Sequence, residues 1–285
     1  MSRQIDLSTL FVSTQWLADH LDSPELRVFD ASWHMPATNC DPRAEYLSEH
    51  VPGAVFFDID RVADHSSGLP HMLPSPEVFA AEMRRLGFGD GMHAVVYDSV
   101  GLFSAPRLWW TMHVFGADKV SILAGGLPAW KAEGRALQNG ETTHAPREFT
   151  PKFDAALVAD AARVNAALLS GEAQVVDARG AERFMGAPEP RPGLRAGHMP
   201  GARNLPFSAV VEAGRMKDRP GLEAAFAAAG VDPEKPTIAS CGSGMTACIL
   251  SLAFAASGRS PATVYDGSWS EWGGRADLPV VSYVD

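Results

Sequence analysis

Short apolar runs alternate along this chain with longer stretches of helical pattern. Val28-Phe29-Asp30-Ala31, Val95-Val96-Tyr97-Asp98, Val175-Val176-Asp177-Ala178 and Thr237-Ile238-Ala239-Ser240 have the length and composition of buried strands. Between such runs, Ser13 precedes an apolar face beginning at Trp16 and Leu17, Ser75 precedes Pro76, and Asp160 heads a third stretch. Each is a helix N-cap by residue type, with Pro76 suited to a first helical position. Cys248–Phe254 has the apolar content of a buried helix. Strand and helix signals in alternation predict an α/β fold with central, mainly parallel sheets flanked by helices on both faces.

The pattern is duplicated. Asp30 and Asp177 are 147 positions apart, and His50-Val51-Pro52-Gly53-Ala54 returns 148 positions later as His198-Met199-Pro200-Gly201-Ala202. Asp98 answers Cys241 at 143, and Trp130 answers Trp272 at 142. Four anchors in one order at nearly one spacing imply a duplicated domain. Gln138–Pro151 is polar and without periodicity, the signature of a linker, which places the domains at 1–145 and 146–285. His50 and His198, at equivalent positions, are expected to be structural, and Trp109 and Trp110 to be packing residues.

One stretch promises chemistry. The strand signal at Thr237–Ser240 ends in Cys241-Gly242-Ser243-Gly244-Met245-Thr246-Ala247, and the buried-helix signal follows at once. Gly242 and Gly244 allow positive φ and let the loop turn its amides inward. A ring of main-chain N–H donors backed by a helix N-terminus is an anion cradle, and a thiol at its centre is expected to ionise readily and act as a nucleophile. In parallel sheets, ligands sit beyond the carboxyl ends of the strands, where Cys241 falls. Arg179–Gly193 supplies Arg183 and Arg191 in a segment whose prolines are expected to prevent regular structure. Arginine matches a planar carboxylate through two parallel hydrogen bonds, although residue type alone leaves both open to being solvated surface charges.

Composition narrows the field. A net charge of −10 argues against a general nucleic-acid binder. No apolar run approaches the ~18 residues of a membrane span, and Met1–Leu7 has no apolar core of a secretory signal. Cys40, Cys241 and Cys248, at unrelated spacings, give neither a disulfide framework nor a zinc pattern and fit a reducing cytoplasm. Cys248 is expected in the core and Cys40 as an incidental loop thiol.

The stretch Cys241–Ala247 resembles the active-site loop of rhodanese-type sulfurtransferases, and its Cys-Gly-Ser-Gly start is most similar to the 3-mercaptopyruvate branch. Met245 stands where that family usually has valine. The resemblance covers nearly the whole chain and implies two tandem rhodanese-like domains that use a Cys241 persulfide. It implies a small-molecule sulfur donor, a thiol acceptor such as thioredoxin, or cyanide, and neither metal nor organic cofactor. Arg183 and Arg191 would hold the substrate's carboxylate and carbonyl, at a spacing one residue shorter than usual. Gly242, Gly244, Met245 and Thr246 would line the loop that receives substrate. Phe56–Asp60 and Leu69–Pro74 resemble segments that family members bring to the active site, which implies a relay in which Asp60 orients His71 and His71 exchanges a proton through Ser243. A carboxylate cannot accept sulfur, so the first copy, with Asp98, is expected to be silent.

Three other readings stay open. Thiosulfate transfer is the close alternative, although that branch typically carries basic residues after the cysteine, where Gly242 and Ser243 stand here. Cysteine phosphatases and arsenate reductases generally end the loop in arginine, where this chain has Ala247. A non-catalytic redox-sensing module would not need the intact second loop.

Overall fold

The computed structural model describes residues 9–283, so the reading of Met1–Leu7 falls outside the described residues. The chain forms two compact units. One comprises the chain through Ala63, Leu73–Asp154 and Ala213–Arg215; the other comprises Asp64–Met72, Ala155–Glu212 and the chain from Met216.

In the first unit, β1 (Phe11–Val12), β2 (Leu26–Asp30), β3 (Val55–Phe56), β4 (His93–Tyr97) and β5 (Lys119–Leu123) form a wholly parallel sheet in the order β1-β5-β4-β2-β3. Its helices are α1 (Thr14–His20), α2 (Pro42–Ser48), α3 (Pro76–Arg85), α4 (Ala105–Val114) and α5 (Gly126–Ala132). The caps close helix starts: Ser13 Oγ accepts the Trp16 N–H at 3.0 Å and Ser75 Oγ the Val78 N–H at 3.3 Å. Successive strand residues face opposite ways. Val28, Val95 and Tyr97 therefore meet Leu17 of α1 with Leu127 and Trp130 of α5, while Phe29 turns to Phe88 on the other face. There Phe79 of α3 stacks on Phe115 at the end of α4, and Trp109 and Trp110 are buried. The stretch 138–151 is irregular apart from the bridge of Gln138 to His50, and its Phe149 packs on Phe79 and Phe88.

The second unit repeats this plan. Its strands are β6 (Val158–Ala159), β7 (Gln174–Asp177), β8 (Arg203–Asn204), β11 (Thr237–Ser240) and β12 (Thr263–Tyr265), parallel and ordered β6-β12-β11-β7-β8. A separate ribbon consists of β9 (Val211–Glu212) and β10 (Arg215–Met216). The helices are α6 (Ala161–Ser170), capped by Asp160 at 2.8 Å from Arg163 N, then α7 (Ala181–Met185), α8 (Arg219–Ala228), α9 (Ala247–Ala256) and α10 (Ser268–Trp272). Residues of α6 and α10 cover one face of the sheet with Val175, Ile238 and Tyr265. Phe226 of α8 stacks on Phe254 of α9 at 4.8 Å, and α9 packs on β11 and β12.

The duplication extends to single residues. His50 Nδ1 pairs with the Tyr46 carbonyl at 2.8 Å and stacks on the Tyr46 ring; His198 Nδ1 pairs with the Phe184 carbonyl at 2.7 Å and stacks on Phe184. Both histidines are buried and play the expected structural part. One local expectation needs correcting: α7 forms inside the proline-rich segment, because Pro188, Pro190 and Pro192 all lie beyond Gly186 and leave Ala181–Met185 free to coil. Among the described residues no helix is long and apolar enough to cross a membrane.

Candidate active site

Cys241 is the first residue beyond β11 and is only 1% exposed. The neighbouring strand β12 delivers the segment that grips it. The Cys241 N–H donates to Ser268 Oγ at 3.0 Å, and its carbonyl accepts the Trp269 N–H at 3.0 Å. The Gly242 carbonyl accepts from Ser270 twice, from the main-chain N–H at 2.9 Å and the hydroxyl at 2.7 Å. Ser268 Oγ also lies 3.9 Å from Cys241 Sγ. Ser268 holds φ at 49° in a fully buried position, a left-handed conformation that costs a non-glycine residue energy and that these bonds hold in place.

The loop that follows differs from its expected form in one respect. Gly244 takes positive φ, 79°, but Gly242 does not. What Gly242 provides is room: a methyl group added there would lie 3.1 Å from Arg191 Nη1 and 3.6 Å from Arg183 Nη2. Two guanidiniums thus lie beside the residue next to Cys241. Arg191 Nη2 also donates to Ser243 Oγ at 3.2 Å. The main-chain N–H groups of Gly242, Ser243 and Thr246 donate to no acceptor among the described residues. Met245 is buried, and Thr246 precedes α9 without capping it through its side chain.

The first unit shows what this type of loop can enclose. Asp98, the counterpart of Cys241, turns its carboxylate into its own loop. Oδ2 accepts from the N–H groups of Phe103 (2.7 Å), Ser104 (2.9 Å) and Ala105 (2.9 Å), and Oδ1 from Val100 (3.1 Å). An anion occupies the centre of that amide ring; the second unit has a thiol at the same place in the repeat.

Arg183 is held from behind. Glu189 accepts from its Nε at 3.3 Å and from its Nη2, and also accepts Arg179 Nη1 at 2.7 Å. Arg179 in turn pairs with Asp177 at the end of β7 and lies over the Trp269 ring at 4.2 Å. Asp60 belongs to the first unit, where it accepts the Trp33 indole N–H at 2.8 Å. His71 lies in Asp64–Met72, which packs with the second unit; it is buried and has φ of 61°. The structure thus brings Arg183, Arg191 and Ser243 together at Gly242, whereas Asp60 and His71 fall in different units.

Residues 13–133 and 160–275 both match the rhodanese-like domain. The chain belongs to the rhodanese family. Within that family it is 47% identical to the 3-mercaptopyruvate sulfurtransferase of Escherichia coli K12, over 96% of this chain and 98% of the relative. It is 38% identical to a mitochondrial thiosulfate/3-mercaptopyruvate sulfurtransferase of Arabidopsis thaliana, over 98% of this chain and 79% of the relative. The crystal structure of SseA, a 3-mercaptopyruvate sulfotransferase from E. coli, superposes with a TM-score of 0.86 at 44% identity, covering 92% of this chain and all of that one. Both parallel sheets are therefore rhodanese folds.

The sequence did not single out Ser268, Ser270 or Glu189. A usable signal existed for the serines: β12 neighbours β11, and the residues just beyond adjacent parallel strands meet at one end of the sheet. Away from this site, His34, Cys40 and Glu45 place one donor atom each within 4.8 Å of one another. His34 Nε2 and Glu45 Oε2 are 2.7 Å apart and satisfy each other, and Cys40 is exposed. Cys248 is buried in α9, its thiol donating to the Gly244 carbonyl at 3.2 Å.

Proposed function

We propose that this protein is a sulfurtransferase that takes sulfur from 3-mercaptopyruvate, with the domain at 146–285 catalytic and the domain at 1–145, with its linker, chemically silent. The observation that carries this reading is the pair of guanidiniums beside Gly242, the residue next to Cys241. Arg191 and Arg183 bind that carboxylate and the adjacent carbonyl. The Cys241 thiolate attacks the donor sulfur; the S–S bond forms as the C–S bond breaks, and pyruvate leaves as its enolate. The donor's thiol proton ends on the enolate carbon, so the step yields pyruvate and an anionic Cys241 persulfide with no net change in charge.

Gly242, Gly244, Met245 and Thr246 form the loop around that persulfide, whose charge the amides stabilise as they would an oxyanion. Ser243, oriented by Arg191, carries the proton, with His71 as its exchange partner. A thiol acceptor such as thioredoxin, or cyanide, removes the outer sulfur. Neither metal nor organic cofactor takes part. Thiols kept reduced suit the cytoplasm, where we place the reaction.

Thiosulfate is the competing donor. Gly242 and Ser243 add no positive charge after the cysteine, which disfavours a dianion and supports the carboxylate donor. Steady-state assays with cyanide as acceptor test this: kcat/KM is expected to be higher for 3-mercaptopyruvate than for thiosulfate, and the reverse order overturns the choice of donor.

A further inference from the structure

Glu189 takes no part in the steps above, yet its side chain is fully enclosed while its main chain meets solvent. Enclosing a carboxylate is costly unless it is paired, and this one is paired twice, with Arg179 and Arg183. The contacts close on themselves. The Trp269 N–H holds the Cys241 carbonyl, the Trp269 ring carries Arg179, Glu189 joins Arg179 to Arg183, and Arg183 lies against Gly242. Charge is counted in the same cluster. Asp177 and Glu189 oppose Arg179, Arg183 and Arg191, leaving one uncompensated positive charge beside Cys241.

We propose that Glu189 is a positioning and specificity-determining residue. It fixes the Arg183 fork beside Gly242 and trims the arginine cluster to a single net positive charge, which suits a donor bearing one carboxylate over a dianion such as thiosulfate. This rests on the reading of the site as a sulfurtransferase centre. Without the Glu189 charge the cluster carries two positive charges, and Arg183 loses the acceptor that aims it.

The test compares the full-length protein with Glu189→Gln and Glu189→Asp, each assayed with 3-mercaptopyruvate and with thiosulfate. Glu189→Gln is expected to raise KM for 3-mercaptopyruvate more than it lowers kcat. The thiosulfate to 3-mercaptopyruvate ratio of kcat/KM should rise on the order of tenfold. Glu189→Asp keeps the charge, and its ratio is expected to stay within about twofold of the parent even where both rates fall. A merely structural Glu189 would depress both donors together in both variants, and an unchanged ratio in Glu189→Gln overturns the proposal.

Should Glu189→Gln fail to fold, Arg183→Lys keeps the cation but gives up the fork. It is expected to raise KM for 3-mercaptopyruvate roughly tenfold, and an unchanged KM counts against the proposal. A parent protein inactive on 3-mercaptopyruvate but active on thiosulfate contradicts the proposed donor instead. Glu189 is then tested by thiosulfate KM alone, which is expected to fall in Glu189→Gln.

Discussion

The carboxylate of Asp98 accepts the main-chain N–H of Phe103 at 2.7 Å, and three further amides converge on the same side chain. The loop of the first unit is thus filled by its own anion. Asp98→Ala strands those donors in a buried position and is expected to cost roughly 2–5 kcal/mol, with Asp98→Asn milder because it keeps one acceptor. Urea midpoints of the three full-length proteins check the order. An unchanged midpoint in Asp98→Ala would remove the structural ground for treating this loop as an anion cradle.

Gly242 lacks a side chain for reasons of space. Its φ is outside the left-handed region, so Gly242→Ala adds little backbone strain, but the new methyl would lie 3.1 Å from Arg191 Nη1 and displace a movable guanidinium. Stability is expected to change by less than about 1 kcal/mol while KM for the sulfur donor rises several-fold. A drop in thermal midpoint without a change in KM would contradict this.

Acidification acts through buried histidines. Burial pushes His50 and His198 below the ordinary value of 6.5. The unfolded chain then takes up protons that the fold refuses, so their contribution is complete above about pH 6.5 and declines as pH falls below it. The expected sign is a thermal midpoint that drops between pH 7 and pH 5.5, with a shallower slope in His50→Asn and His198→Asn.

Asp30 works in the opposite sense. Its burial raises it from 3.8 to about 6, so its contribution is present below about pH 3.8 and lost as pH rises through 6. Asp30→Asn is therefore expected to gain stability on the order of 1–3 kcal/mol at pH 7.5 and clearly less at pH 5. Equal gains at both values would show that charge is not the cause.

The legibility of this molecule in its sequence follows from which forces are local. Val28, Val95, Val175 and Ile238 announced strands because a doubly covered parallel sheet needs apolar side chains on both faces. Ser13, Ser75 and Asp160 announced helix starts because each cap acts within three residues of itself. The duplication was legible from anchors such as His50 and His198, whose ring stacking and carbonyl bonds leave little freedom of substitution. Nonlocal contacts stayed hidden. Nothing near His71 signals that Asp64–Met72 packs with the second unit, and nothing near Glu189 signals that Arg179 and Arg183 share it. Gly242 showed its importance but not its cause, since positive φ and a close guanidinium leave the same mark in a sequence.

In the proposed reaction Cys241 carries sulfur as a persulfide. Intact mass measured after brief exposure to 3-mercaptopyruvate, without acceptor, tests it most directly. One added sulfur per chain is expected, with its loss on adding cyanide and none in Cys241→Ser. No added sulfur in the parent protein, or the same adduct in Cys241→Ser, would contradict it.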